Sequence, residues 1–136
     1  MKTVIKRPPP TRGLRHVALH VQKLEACERF YVDLLGMQIE WCPDPDNVYL
    51  CSGSDNLALH RLPEGLAVTG PQRLHHLGFI LSNPEAVDAW YEFLRANGVV
   101  IKALPRTHRD GARSFYCEDP DGTVVQLIYH PPIAHT

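Results

Sequence analysis

"RHVALH" (Arg15–His20) and "HHLGFI" (His75–Ile80) decide how this chain reads. Each sets a histidine inside a short run of apolar and β-branched residues, the pattern of a strand. An imidazole in such a strand costs free energy unless something uses it. Sliding the chain by sixty residues puts Leu14 on Leu74, His16 on His76, Glu25 on Glu85, Ala26 on Ala86, Tyr31 on Tyr91 and Leu34 on Leu94. A shift of sixty-six lays "CSGSDNLALHR" on "CEDPDGTVVQL", bringing Cys51 onto Cys117, Asp55 onto Asp121 and His60 onto Gln126. Matches in the same order in both halves point to two copies of one folding unit.

Each copy reads as strand, helix and three strands. In the first, strand 14–21 precedes a helix whose Cys27, Phe30, Tyr31, Leu34 and Leu35 recur at helical spacing. Gly36 ends it. Strands follow near 37–42, 47–53 and 56–62. In the second, strand 74–81 precedes a helix opened by Ser82 or Asn83 with Pro84 in its first turn. Val87, Trp90, Tyr91 and Leu94 form its buried stripe and Gly98 stops it. Strands near 99–103, 113–118 and 123–130 complete the copy, with "DPDG" (Asp119–Gly122) as the last turn.

The fold class expected is therefore α+β: two βαβββ modules forming a curved, cleft-enclosing mixed sheet with helices outside. An N-terminal arm covers 1–13. One domain covers 14–132, with module one at 14–62, a Gly/Pro-rich linker at 63–73 and module two at 74–132. Strand alternation puts His16, Ala18 and His20 on one face, and His76, Gly78 and Ile80 on one face. The more uniformly apolar faces suit the helices, so these histidines point into the cleft. His75 is out of phase and belongs outside; His130 and His135 read as surface residues.

Composition narrows the functions. The chain has 136 residues, 44% hydrophobic content and a formal net charge of −1. That gives no field to attract nucleic acid or an anionic membrane. No apolar run approaches the ~20 residues of a membrane span, and no signal-peptide core is visible, so a cytoplasmic location is expected. The four cysteines show no CxxC spacing and read as reduced thiols.

"HVALHVQKLEACERFYVDLLGM", "HHLGFIL" and "SFYCEDPDGTVVQLIYHP" resemble the vicinal oxygen chelate superfamily, which includes glyoxalase I, fosfomycin resistance proteins, extradiol dioxygenases, methylmalonyl-CoA epimerase and bleomycin-binding proteins. The likeness runs from about Leu14 to Pro131. It implies paired βαβββ modules around one divalent metal ion (Zn, Fe, Ni, Co or Mn). Ligands come from the first and last strand of each module, and here those positions are His16, His60, His76 and Gln126. Neutral imidazoles suit such ions and leave coordination positions open to a chelating substrate. Most metal-dependent members carry a carboxylate where this chain has Gln126. An amide ligates weakly and without charge, and Gln126 either ligates so or does not ligate. It cannot act as the proton-transfer base of glyoxalase I, nor complete the two-histidine, one-carboxylate set of ring-cleaving dioxygenases.

Other residues are candidates for chemistry. Tyr116 lies across the DPDG turn from Gln126, and the resemblance implies a substrate-contacting tyrosine at that spacing. His108 and His20 are acid/base candidates, and Arg109 suits a carboxylate or phosphate. Each also has a plain structural reading, as a buried tyrosine or a solvated loop. Two functions remain. One is a metal-dependent enzyme (a lyase, isomerase or dioxygenase-like protein) acting on a small oxygen-rich substrate by bidentate chelation. The other is a metal-free binding protein of the bleomycin-resistance type that sequesters a drug or metabolite. A regulatory subunit would leave inward histidines without a purpose. The resemblance also implies a homodimer, with modules paired within or between chains.

Overall fold

The strand His16–Val21 (β1) alternates as its sequence requires: Leu19 and Val21 are buried while His16, Ala18 and His20 face solvent. The structure, a computed structural model, describes residues 5–7, 14–64 and 74–135. Most of the expected arm and most of the expected linker lie outside the described residues. After β1 come α1 (Leu24–Arg29), a π-helical turn (Phe30–Leu34), β2 (Gln38–Asp44), β3 (Asn47–Cys51) and β4 (Asn56–Arg61). The second module has β5 (Leu77–Ile80), α2 (Pro84–Ala96), β6 (Ile101–Thr107), β7 (Arg113–Glu118) and β8 (Val124–Tyr129), then a 3₁₀ turn at Pro131–Ile133.

The strands form two four-stranded mixed sheets, ordered β1-β4-β3-β2 and β5-β8-β7-β6. In each, the first strand runs parallel to the fourth and the rest are antiparallel. The two modules are thus the same βαβββ unit, as the repeat predicts. Their helix-side faces share one apolar core, built from Leu19, Val21, Leu50 and Leu59 of module one and Phe115, Cys117, Val125 and Leu127 of module two.

Helix ends follow local chemistry. Asn83 caps α2 by accepting from the Ala86 amide at 2.8 Å, and Pro84 occupies the first turn. Module one departs from the expected single helix. At Phe30 the chain widens into a π turn, and the Leu35 amide donates to the Phe30 carbonyl five residues back. That turn buries Tyr31 completely and carries its hydroxyl to Asp119 Oδ2 of module two at 2.8 Å. Gly36, at φ 82°, leaves the turn in a left-handed conformation.

The "DPDG" segment is a turn, as expected, and it also joins the modules. Asp121 accepts from the backbone amides of Gln22 and Lys23 at the start of α1, both at 3.0 Å. Asp119, only 3% exposed, accepts from Tyr31 and from the amides of Asp121 and Thr123. Burial raises its pKa more than these bonds lower it.

Strand registers correct the repeat alignment. Ala18 faces Ala58 and Tyr49 faces Ala58 in module one; Gly78 faces Gln126 and Tyr116 faces Gln126 in module two. Gln126 therefore corresponds to Ala58, His60 to Ile128 and Cys117 to Leu50, not to the partners that the sixty-six-residue shift assigns. Four residues separate β3 from β4, against five between β7 and β8, so no single shift fits both strands.

Candidate functional site

The helix-free faces of the two sheets are troughs, and each carries a cluster of polar side chains. In module two, Tyr116 and Gln126 sit opposite each other on β7 and β8, and Gln126 Nε2 donates to the Tyr116 hydroxyl at 3.0 Å. The His76 ring meets the Tyr116 ring edge-on at 5.2 Å between centroids. His76 Nδ1 lies 2.7 Å from His75 Nδ1, so one ring of that pair donates and the other accepts. Gly78 lies below Gln126; a Cβ there would sit 3.6 Å from Gln126 Oε1. The absence of a side chain at Gly78 leaves space beside that amide oxygen, in a residue that is otherwise buried.

His76, Gly78 and Gln126 line a cavity of about 480 Å³. Its far wall comes from module one, where Arg15, Val17 and Asn56 contribute. His130, expected at the surface, lines it too and is half-buried. Size and lining suit a small molecule held by apolar walls and a few polar groups.

In module one the trough has two polar ends. At one, His16 Nδ1 lies 2.6 Å from Asn56 Oδ1, and Asn56 Nδ2 donates to Glu40 Oε2 at 2.8 Å. At the other, His60 Nδ1 lies 2.6 Å from Asn47 Oδ1, with the His20 ring 6.2 Å away and Tyr49 edge-on at 5.8 Å. Trp41 stacks on Tyr49 at 5.2 Å and remains 58% exposed.

These placements bear directly on the expected metal set. His76 and Gln126 share the cavity. His16 does not line it, although its neighbours Arg15 and Val17 and its partner Asn56 do. His60 is separated from His16. His16 pairs with Asn56 and His20 with His60, so the two histidines stand four residues apart along the sheet, about 13 Å. Each is tied to an asparagine at its own end. Two donors on one ion lie within roughly 4 Å, so His60 does not join His16 on a common ion in this chain. The sequence was misleading here because the alignment that placed His60 on Gln126 is two residues out of register. Among the described residues, no three His, Cys, Asp or Glu side chains come together as a metal-holding group.

The remaining candidates fall as follows. His108 Nε2 lies 3.2 Å from Ser114 Oγ, and Ser114 is buried on the Tyr116 face of β7. Arg109 is exposed in the same loop. His20 is exposed beside His60. Sequence reasoning missed Asn56, Glu40 and Asn47. Strand alternation alone could have placed Asn56 beside Ala58 and His60, but only the parallel β1–β4 register sets it against His16.

Both troughs are open in the single chain. β2 is exposed along its whole length, and Trp41, Ile80 (45%) and Leu104 (66%) present apolar surface to solvent. No helix among the described residues is long and apolar enough to cross a membrane.

Known proteins share this fold. A family model described as "Glyoxalase/Bleomycin resistance protein/Dioxygenase superfamily" matches residues 13–127. A 3-methylcatechol 2,3-dioxygenase of Pseudomonas putida is 31% identical over 125 residues, covering 85% of this chain; the chain spans only 41% of that enzyme's length. An uncharacterized protein of Pseudomonas aeruginosa is 31% identical over 139 residues, with 88% of this chain and 90% of that protein covered. Among solved structures, a lactoylglutathione lyase from Agrobacterium tumefaciens superposes with a TM-score of 0.73 at 22% identity, over 89% of this chain and 96% of its own. A glyoxalase/bleomycin resistance protein/dioxygenase from Nocardioides superposes at 0.69 with 24% identity, over 93% of this chain and 85% of its own. At such identities the structural likeness speaks for the fold.

Proposed function

The chain belongs to the Glyoxalase/Bleomycin resistance protein/Dioxygenase superfamily, and we propose that it is a divalent-metal-dependent enzyme acting on a small, oxygen-rich substrate. The observation that carries this reading is that His76 and Gln126 line one cavity and both contact Tyr116, with Gly78 leaving space beside the Gln126 amide oxygen. The donor chemistry fits a Zn, Fe, Ni, Co or Mn ion: imidazole nitrogen and amide oxygen are both neutral ligands for such metals. His76 and Gln126 would hold it, with His16 as third ligand.

A single chain supplies two of these donors at the cavity. The exposed apolar side chains of Trp41, Ile80 and Leu104 favour a homodimer in which His16 of one copy meets His76 and Gln126 of the other. The ion would supply Lewis-acid polarisation of paired substrate oxygens. The chain's own residues do the rest. Tyr116 accepts from the Gln126 amide, so its own proton is available to a substrate oxygen. His108, held against Ser114, accepts a proton from the substrate. Arg109, exposed in the loop that carries His108, would attract an anionic group. Three neutral ligands leave the ion's charge uncompensated by protein, which favours an anionic substrate.

A metal-free binding protein is the second reading. The neutral Gln126 and the apolar cavity wall of Val17, Leu57, Leu77 and Phe79 favour it. Calorimetric titration of chelator-stripped, tag-free protein with Zn²⁺ separates the two. The enzyme reading predicts stoichiometric binding that His76→Ala abolishes and Gln126→Glu tightens roughly tenfold or more, since an added carboxylate charge next to a dication exceeds about 1.4 kcal/mol at low dielectric. Heats equal to dilution, with apolar ligands still stabilising the fold, would leave the binding reading.

A further inference from the structure

We infer that two carboxylate–asparagine–histidine relays fix the tautomers of His16 and His60, making Glu40, Asn56, Asp44 and Asn47 positioning residues for the module-one trough. The geometry of the first relay is His16 Nδ1 to Asn56 Oδ1 at 2.6 Å, then Asn56 Nδ2 to Glu40 Oε2 at 2.8 Å. The second is His60 Nδ1 to Asn47 Oδ1 at 2.6 Å, then Asn47 Nδ2 to Asp44 Oδ1 at 2.9 Å and Oδ2 at 3.0 Å.

Chemistry dictates the proton positions. An ionised carboxylate only accepts, so the asparagine end facing it is the NH₂. The other end of each amide is then its carbonyl oxygen, which also only accepts. The imidazole Nδ1 against it must carry the proton. In the neutral ring Nε2 is therefore the unprotonated nitrogen, the one able to ligate or take a proton. Orientation of a working histidine by a partner on its other nitrogen is the general arrangement at metal and acid/base sites. Here an amide stands between ring and carboxylate, so the ring gains a fixed tautomer with no carboxylate beside it.

Two relays with the same logic arise from different local structure. Asp44 and Asn47 span the β2–β3 turn, while Glu40 and Asn56 reach across from β2 to β4. Both point an Nε2 lone pair from β1 or β4 on the trough side. At His16 this serves the metal site proposed above, and that purpose rests on that reading; the tautomer does not. At His60 it makes a second basic nitrogen beside His20, at the far end of the trough from His16.

Long-range ¹H–¹⁵N correlation spectra of metal-free protein, recorded above the ordinary histidine pKa, test this. His16→Gln and His60→Gln variants assign the two rings. Both rings are expected with Nδ1 protonated and Nε2 bare. Asn56→Ala should convert His16, but not His60, to the Nε2–H form that free imidazole side chains favour, and Asn56→Asp should restore Nδ1–H. Glu40→Ala, which frees the amide to rotate, should shift His16 the same way as Asn56→Ala. An Nε2–H ring at either position in the unaltered protein overturns the inference, as does Nδ1–H persisting in Asn56→Ala. Zn²⁺ then reports on the metal separately: a bare Nε2 on His16 that does not move when Zn²⁺ is added defeats the metal reading and leaves the relays standing.

Discussion

Single side chains in this protein separate into those that hold the modules together and those offered to the troughs. Tyr31 and Asp119 belong to the first group. Removing the hydroxyl in Tyr31→Phe leaves a buried carboxylate one donor short, at a cost of about 1–3 kcal/mol, readable as a fall in the urea midpoint. Asp119 also sets a pH dependence. Burial lifts its pKa in the folded state, so the folded protein binds that proton more tightly than the unfolded chain. Its contribution to stability then falls as pH rises through the folded pKa and returns on acidification. Relative to Asp119→Asn, the natural protein should gain stability as the pH drops from neutral towards the ordinary carboxylate range. A relative loss would contradict the assignment. The cysteines divide similarly. Burial pushes the Cys27 and Cys117 thiols up to about 12, while Cys42 is exposed and Cys51 partly so. A maleimide or disulfide reagent should modify Cys42 first, then Cys51, and reach Cys27 and Cys117 only after unfolding.

At the level of strands and helices, the sequence showed a great deal. Period-two alternation located β1, β4, β7 and β8, and it put His16 and His76 on the trough side because only one face of each strand is uniformly apolar. Asn83 and Pro84 marked the start of α2. What escaped was register. Alternation is blind to how far one strand slides along another, so the repeat alignment paired His60 with Gln126 two residues out of the register the strands adopt, and the Glu40–Asn56 contact across a bulged β2 had no visible cue. The π turn was hidden for a related reason: Cys27, Phe30, Tyr31, Leu34 and Leu35 fit a regular helix equally well, and only the docking of Tyr31 on Asp119 favours the wider turn. Gly36 ends that turn at φ 82°, and a Cβ there would meet nothing within 4 Å. Gly36→Ala should therefore cost about 1–2 kcal/mol from backbone conformation alone, with no change in trough chemistry. Gly78 is the opposite case. It has ordinary backbone, and a branched side chain there would fill the space beside Gln126. Gly78→Val should keep the melting temperature within a few degrees while weakening ligand or metal uptake at least tenfold.

Across the whole molecule, the shared core joins the helix sides of both modules and leaves the troughs facing outward. That arrangement makes pairing between copies the natural way to close them. Mixing two inactive variants tests it without structural work. A heterodimer of His16→Ala and His76→Ala chains retains one intact site if His16 acts across the interface, because the unaltered His16 of one chain meets the unaltered His76 of the other. It retains none if each site is built within one chain. Refolded mixtures should regain metal binding at up to about half the dimers formed, the statistical share of mixed pairs, and each variant alone should bind none.

In the proposed function, these neutral side chains hold a functional divalent ion. Elemental analysis of tag-free protein, purified without chelator and compared with a His16→Ala/His76→Ala variant of equal secondary structure, tests it most directly. Close to one divalent transition-metal ion per chain is expected in the natural protein and none in the variant. Protein that carries no such ion and takes none up from solution, or a variant that retains it, would rule out a metal held by His16 and His76.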